Sequence, residues 1–170
     1  FAANRERLRD TLPDSSVVMV FSAPQKMRTN DIEYRFHQDP DFFYFTGIRE
    51  PNAMLLMFSE PVSIDGKWMR EVLFVEGKNT KKETWTGRMI GVEGAREVSG
   101  MLSVSTNEEF KTIAFPFDQF KHVYSNQVQP IESDDPEDGG DLSSLVKHAQ
   151  QKLERKGLKL DHNMGEDLFA

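Results

Sequence analysis

The sequence of residues 53–75 is AMLLMFSEPVSIDGKWMREVLFV, and it contains two apolar runs separated by a turn signal. The first run extends from Ala53 to Phe58 and the second from Val72 to Val75. Between them lies Asp65-Gly66, a dipeptide that favours the tight turn of a β-hairpin. Apolar runs of this length without alternation are typical of strands that are buried on both faces. The stretch therefore predicts two paired strands inside a sheet.

Other apolar segments predict further strands around this hairpin. They share a short length, β-branched or aromatic side chains and flanking turn residues. They are Val17–Phe21, Phe42–Phe45 (which would end at Gly47), Val123-Tyr124 and a last strand that includes Leu158 and Leu160.

Helical signals separate the strands. Residues 4–12 place Leu8 and Leu12 on one helix face, and Pro13 would end that helix. Thr80 to Glu83 and Thr106 to Glu109 each match the capping-box pattern that begins a helix. Apolar residues at helical spacing continue from Leu142 to Leu153. The order of elements predicts an α/β fold with a mixed β-sheet flanked by helices.

Composition places the chain among globular proteins and excludes several classes. The 170 residues favour one domain, and 38% hydrophobic with 11% aromatic residues exclude an intrinsically disordered chain. Cysteine is absent, which excludes disulfides and thiolate metal sites. The net charge is −7, but six acids fall within residues 132–141, so the rest of the chain is nearly neutral. We therefore expect no nucleic-acid partner, because no basic surface is indicated, and no membrane partner.

No local motif indicates a catalytic centre. The four histidines form neither an HxH nor an HExxH pattern, and there is no glycine-rich phosphate loop or nucleophile elbow. One group of potential metal ligands occurs near the end of the chain, at Asp161, His162, Glu166 and Asp167. We interpret this group as a solvated linker. The chain is therefore predicted to hold no catalytic and no metal-binding residue.

Two segments carry more functional groups than folding requires. Arg28 to Phe36 alternates opposite charges with aromatic residues, which fits a salt-bridged loop or a binding loop. Glu83 to Arg88 places Trp85 beside Gly87 on a predicted short helix. A tryptophan there fills a core in the simpler interpretation, and forms the wall of an apolar or prolyl pocket in the functional one.

These segments resemble the N-terminal domain of Xaa-Pro aminopeptidase, also called aminopeptidase P. The resemblance extends roughly from Asn4 to Tyr124 and rests on several spaced motifs in the same order. The Glu-x-Trp-x-Gly-Arg element favours aminopeptidase P over its relatives prolidase and creatinase. The matching residues are Ala23-Pro24, Arg28, Asp31, Glu33-Tyr34, Phe36, Gln38, Asp39 to Gly47, Glu50-Pro51, Leu73-Phe74, Glu83, Trp85, Gly87-Arg88 and Gly91.

The resemblance implies a two-domain parent enzyme. Its N-terminal domain is a mixed α/β domain with a ribonuclease H-like motif. A C-terminal domain of the pita-bread fold holds two metal ions, often Mn²⁺, through ligands that all lie beyond the matched region. The parent releases the N-terminal residue that precedes proline. The present chain is then expected to be a non-catalytic half that is inactive alone.

The same resemblance implies three substrate-binding residues. Trp85 matches the tryptophan that helps form the substrate pocket. Asp31 matches the aspartate that reaches the active site of a neighbouring subunit, close to the N-terminal end of the substrate, and Arg28 is its supporting partner. A carboxylate at that place can pair with a substrate ammonium. The implied partners are the C-terminal pita-bread domain, further copies of the parent in a homo-oligomer, and a proline-containing peptide.

The domain organisation follows from these inferences. Residues 1–160 are predicted to form one domain with an acidic loop at 131–141, and residues 161–170 to begin a linker to the catalytic domain. We expect a cytoplasmic location. Three alternatives stay open at this stage: a non-enzymatic scaffold domain of an inactive relative, the N-terminal domain of a prolidase, and a metal-dependent nuclease. The near-neutral body and the acidic loop argue against the nuclease.

Overall fold

The computed structural model describes residues 1–25, 36–128, 140–160 and Met164, and describes only the backbone of Lys82, Trp85 and Thr86. The strands in these residues are β1 (Ser16–Phe21), β2 (Met54–Ile64), β3 (Lys67–Val75), β4 (Val104–Thr106) and β5 (His122–Ser125). The helices are α1 (Ala2–Thr11), α2 (Pro40–Thr46), α3 (Thr80–Thr86), α4 (Gly91–Ser99), α5 (Asn107–Thr112) and α6 (Leu142–Glu154), and a 3-10 turn spans Phe117–Gln119. None of the helices described is long and apolar enough to cross a membrane.

The strands form one mixed sheet with the order β4-β3-β2-β1-β5. β1, β2 and β3 are an antiparallel meander, and β4 and β5 are added in parallel to β3 and β1 respectively. This confirms the predicted mixed sheet flanked by helices. A meander extended by a strand parallel to β1 is also consistent with the ribonuclease H-like motif.

Helices cover both faces of the sheet. Val17, Met19 and Phe21 of β1 belong to the core on one face, with α5, the 3-10 turn and α6. Val18 and Val20 belong to the core on the other face, with α1, α2, α4 and Met164. All six residues of β1 are buried, which confirms the strand predicted from its unbroken apolar run.

The hairpin prediction is confirmed in detail. Asp65 and Gly66 connect β2 to β3, and their φ angles are 50° and 78°. Two successive positive φ angles are typical of a type I′ turn, whose twist matches the twist of the two strands.

The predicted strand at Phe42–Phe45 is wrong, because these residues lie in α2. Asp39 caps the helix by accepting the N–H of Phe42 at 3.0 Å, and Pro40 occupies the first helical position. Gly47 ends the helix at φ 71°. Phe42 and Phe45 are buried while Tyr44 is exposed, so the spacing of the aromatic side chains follows a helix.

The structure corrects the predicted cap of α3 and confirms the predicted cap of α5. α3 begins at Thr80 as predicted, but the capping residue is Asn79, whose Oδ1 accepts the N–H of Lys81 at 3.0 Å. The capping box at Thr106 and Glu109 is present with both of its hydrogen bonds.

The prediction of α6 is confirmed at Leu142–Glu154. The last strand predicted around Leu158 and Leu160 is wrong, because residues 158–160 are described and belong to no strand. Both leucines instead pack partly buried against the α6 side of the core.

Candidate functional site

The carboxyl ends of four strands meet at one edge of the sheet. β1, β3, β4 and β5 run in the same direction, so their last residues lie beside the first residue of the antiparallel strand β2. Ligands of α/β sheets commonly bind outside the carboxyl ends of the strands. Six polar residues follow or precede the strands at this edge, and we call them the polar edge: Ser22, Glu50, Asn52, Glu76, Asn107 and Asn126.

Asn52 is the central hydrogen-bonding residue of the polar edge. Its Nδ2 donates to the carboxylate of Glu76, at the end of β3. Its Oδ1 accepts the N–H of Leu142 at 3.0 Å, and its carbonyl accepts Nδ2 of Asn107 at 2.7 Å. The φ angle of Asn52 is 58°, a conformation that asparagine tolerates better than most residues. This one residue therefore connects the start of β2 with β3, α5 and α6.

Asn126 extends the pairing of β1 beyond the end of β5. Its Oδ1 accepts the N–H of Phe21 and its Nδ2 donates to the carbonyl of Phe21, both at 2.8 Å. The side-chain amide thus takes the place of a strand backbone and satisfies two buried polar groups.

Two carboxylates hold the connection between α3 and α4. This connection, residues 87–90, is called the α3–α4 link. Oε1 of Glu83 accepts the N–H of Met89 at 3.2 Å, and Oε1 of Glu50 accepts the N–H of Ile90 at 2.9 Å. Gly87 ends α3 at φ 86°. Successive amides of the link are therefore bound by side chains from two separate parts of the chain.

Glu50 lies in an environment that disfavours its ionised form. Half-burial raises the pKa of Glu50 above its ordinary value, although the hydrogen bond from Ile90 acts in the opposite direction. The nearby carboxylates of Glu76 and Glu83 raise this pKa further. The Glu50 carboxyl therefore accepts a hydrogen bond from Ile90, and it binds a proton at a higher pH than a surface glutamate does.

The α3–α4 link lies between two cavities. One has a volume of about 760 Å³ and includes the first turn of α4. The other has a volume of about 200 Å³ and is lined by Phe36, Arg49, Glu50 and Pro51 among others. Arg88 and Met89 line both cavities. Apolar surface with a few charged groups is suited to binding part of a peptide, whose prolyl rings are apolar and whose termini are charged.

The described residues contain no set of ligands for the two manganese ions that the resemblance implies for the parent enzyme. Within residues 1–25, 36–128, 140–160 and Met164, no three His, Asp or Glu side chains converge on a point that could hold an ion. His148 is used locally, because its Nδ1 is 2.8 Å from the carbonyl of Ser144. The group at Asp161, His162, Glu166 and Asp167 lies outside the described residues.

Of the three predicted substrate-binding residues, the structure describes only the backbone of Trp85. Trp85 lies in the last turn of α3, two residues before the α3–α4 link begins at Gly87, and its side chain is outside the described part of the structure. Arg28 and Asp31 fall outside the described residues. Their roles therefore stay predictions.

Sequence reasoning overlooked the asparagines of the polar edge and assigned no role to Glu50. The available signal was position, because Asn52, Asn107 and Asn126 each stand at or next to the end of a predicted strand or helix. Their convergence depends on the order of the strands, which local pattern does not reveal.

Comparison with known sequences gives consistent matches. The family model for the aminopeptidase P N-terminal domain matches residues 1–124. The Xaa-Pro aminopeptidase of Haemophilus influenzae is 35% identical over 114 residues, which are 66% of this chain and 25% of that protein. Human Xaa-Pro aminopeptidase 3 is 37% identical over 97 residues, covering 55% of this chain and 18% of that protein. The chain thus spans a quarter or less of the length of these two relatives.

Solved structures agree over a longer region. The low-pH form of Escherichia coli aminopeptidase P superposes with a TM-score of 0.61 at 27% identity, covering 93% of this chain and 34% of that one. A zinc-substituted form of the same enzyme in complex with product gives a TM-score of 0.59 at 28% identity, with the same coverage. Because the family model matches residues 1–124 and the fold agrees with these structures, the chain belongs to the family of aminopeptidase P N-terminal domains.

Proposed function

We propose that this domain is the non-catalytic N-terminal part of a metal-dependent Xaa-Pro aminopeptidase that releases the N-terminal residue preceding proline. The domain forms part of the wall of the substrate pocket and contributes contacts between subunits. The names of the relatives support the reaction, and the coverage of 93% of this chain but 34% of the E. coli enzyme supports the role of an N-terminal part.

The α3–α4 link is the observation that carries the proposal. It fixes the end of the helix that contains Trp85 next to a cavity lined by both apolar and charged groups. In the proposal, Trp85 packs against the substrate, because an aromatic face suits a prolyl ring. Asp31 binds the substrate ammonium in a neighbouring subunit of a homo-oligomer, with Arg28 as its partner.

The chemical step belongs to a separate pita-bread domain. Two divalent metal ions, expected to be Mn²⁺, would supply the nucleophile and the Lewis acid there. The residues described in this chain hold no part of that step in the proposal. Their contribution is to bind and orient the peptide, and we place the whole enzyme in the cytoplasm.

The test is a replacement experiment with E. coli aminopeptidase P. The 170-residue chain alone should not hydrolyse an Xaa-Pro-Yaa peptide when Mn²⁺ is added. A chimera in which this chain replaces the structurally matched N-terminal part of the E. coli enzyme should hydrolyse it. Asp31→Asn in the chimera should raise KM by roughly tenfold, the loss expected for one charge-assisted bond to substrate.

Two results would overturn the proposal. One is metal-dependent hydrolysis by the chain alone after contaminating peptidases have been removed. The other is a chimera that folds and binds Mn²⁺ in its E. coli domain but leaves the peptide intact.

A further inference from the structure

α3 is held in place by polar contacts at its ends. It has seven residues, fewer than an isolated helix needs to be stable in water. Among the side chains of α3 that the structure describes, Thr80, Lys81 and Thr84 are exposed and Glu83 is partly covered. These side chains supply no buried apolar face that would fix the helix against the sheet.

The contacts at the two ends of α3 are unequal. At the start, Asn79 accepts the N–H of Lys81 within the same turn. At the end, Glu83 accepts the N–H of Met89, which is still a local contact. Glu50 alone among these acceptors comes from a distant part of the chain, forty residues before Ile90. It precedes β2, which is a central strand of the sheet.

We propose that Glu50 is the positioning residue that fixes the α3–α4 link, and with it the Trp85 end of α3, against the sheet, with Glu83 completing the attachment. The attachment itself follows from the contacts of these two carboxylates. Its consequence for substrate binding rests on the proposed function of Trp85.

Glu50 supplies the acceptor for a backbone amide that lies next to a buried side chain. Met89 is buried and Ile90 is partly buried, and the N–H of Ile90 donates to Glu50. Gly91 begins α4 at φ 63°, and a Cβ there would lie 2.9 Å from Cγ of Lys78. Glycine at this position therefore suits the backbone directly after the link, and without Glu50 the N–H of Ile90 would lose its side-chain acceptor.

The requirement is for an oxygen acceptor rather than for a charge. The environment of Glu50 already disfavours the carboxylate, as the raised pKa shows. An amide oxygen in Gln at this position could accept the same hydrogen bond. Glu50→Gln keeps an oxygen acceptor and removes the charge, whereas Glu50→Ala removes both. Comparing the two variants therefore separates the effect of the hydrogen bond from the effect of the charge.

The experiment uses amide hydrogen exchange and tryptophan fluorescence on the 170-residue chain. Trp68 is 75% exposed on β3, so Trp68→Phe leaves Trp85 as the single fluorescent tryptophan. In this background, Glu50→Ala should accelerate exchange of the Ile90 amide by about tenfold or more, and should change acrylamide quenching of Trp85 by about twofold. Glu50→Gln should leave both values at those of the parent. Glu154→Ala, which removes an exposed carboxylate on α6, is the matched control.

The remaining outcomes are also decisive. Equal exchange at Ile90 in Glu50→Ala and the parent would overturn the attachment. Faster exchange with unchanged Trp85 quenching would limit Glu50 to a structural role and overturn its positioning of Trp85. If Glu50→Ala does not fold, a Glu50→Gln protein with an exposed Ile90 amide would contradict the proposal, and a protected one would support it. None of these readouts uses catalysis, so they can fail while the proposed function stands.

Discussion

The N–H of Ile90 donates to Oε1 of Glu50 at 2.9 Å, across forty residues of sequence. This bond connects the segment before β2 to the segment before α4. Glu50 belongs to the Glu50-Pro51 motif of the resemblance, and Ile90 lies between the matching residues Gly87-Arg88 and Gly91. The contact therefore joins two parts of the chain that both carry residues of the resemblance.

Glu50→Gln should stabilise the domain at neutral pH. Burial raises the pKa of Glu50, so the folded state favours the protonated group. The stability that this group contributes is present below its unfolded pKa, near 4.5, and is lost as the pH rises through the higher folded value. The neutral glutamine avoids the loss and the repulsion by Glu76 and Glu83. We expect its melting temperature at pH 7 to be about 1–3 °C above that of the parent.

The control for this prediction is the same comparison in acid. The difference in melting temperature between Glu50→Gln and the parent should disappear as the pH falls below about 4.5. A difference that grows in acid would contradict the sign of the shift.

Arg5→Ala should destabilise the domain strongly. Arg5 is 1% exposed, and its guanidinium donates to Glu71 at 2.9 Å and to the carbonyls of Phe45 and Ser99 at 2.7 and 3.1 Å. Truncation leaves these carbonyls buried without their donor, although Arg9 still pairs with Glu71. We expect a loss of about 3 kcal/mol in the free energy of unfolding, measured by urea denaturation.

Arg7→Ala is the matched control for Arg5, because Arg7 is exposed on the same helix and donates only to Asn4 among the described residues. It should change the free energy of unfolding by less than about 0.5 kcal/mol. Equal losses in the two variants would show that Arg5 acts as a surface charge.

Asn126→Ala should destabilise the carboxyl end of β1. It removes both the acceptor for the N–H of Phe21 and the donor to its carbonyl. Each buried group left without its partner costs about 1–3 kcal/mol, so we expect a total of about 2–4 kcal/mol in urea denaturation. Gln127→Ala, at the exposed neighbouring position, should be nearly neutral. A neutral Asn126→Ala would mean that water replaces the amide.

Most strands of this fold were predictable from the sequence, because an unbroken apolar run such as Val17–Phe21 is typical of a strand that is buried on both faces. α2 was not, since Phe42–Phe45 combines high β-propensity with a cap formed by Asp39 and Pro40, and the cap prevailed. In the helix, Phe42 and Phe45 reach the core while Tyr44 stays exposed, and this arrangement is known only once the core has formed.

The candidate site was predictable to a smaller extent. Trp85 could be singled out by its motif, but the attachments made by Glu50, Asn52 and Asn126 could not. Each connects positions that are distant in sequence and adjacent only after the sheet has formed. Local pattern contains no information on such pairs unless the order of the strands is known.

Whether the end of α3 that carries Trp85 forms part of a substrate pocket is tested most directly by kcat/KM of the chimera with E. coli aminopeptidase P. The measurement compares Trp85→Ala with Trp68→Ala, which removes the exposed tryptophan of β3. The account predicts that Trp85→Ala lowers kcat/KM for an Xaa-Pro-Yaa peptide by about tenfold or more, with melting temperature and metal content unchanged, and that Trp68→Ala leaves it unaltered. Equal kcat/KM values in the two variants would contradict it.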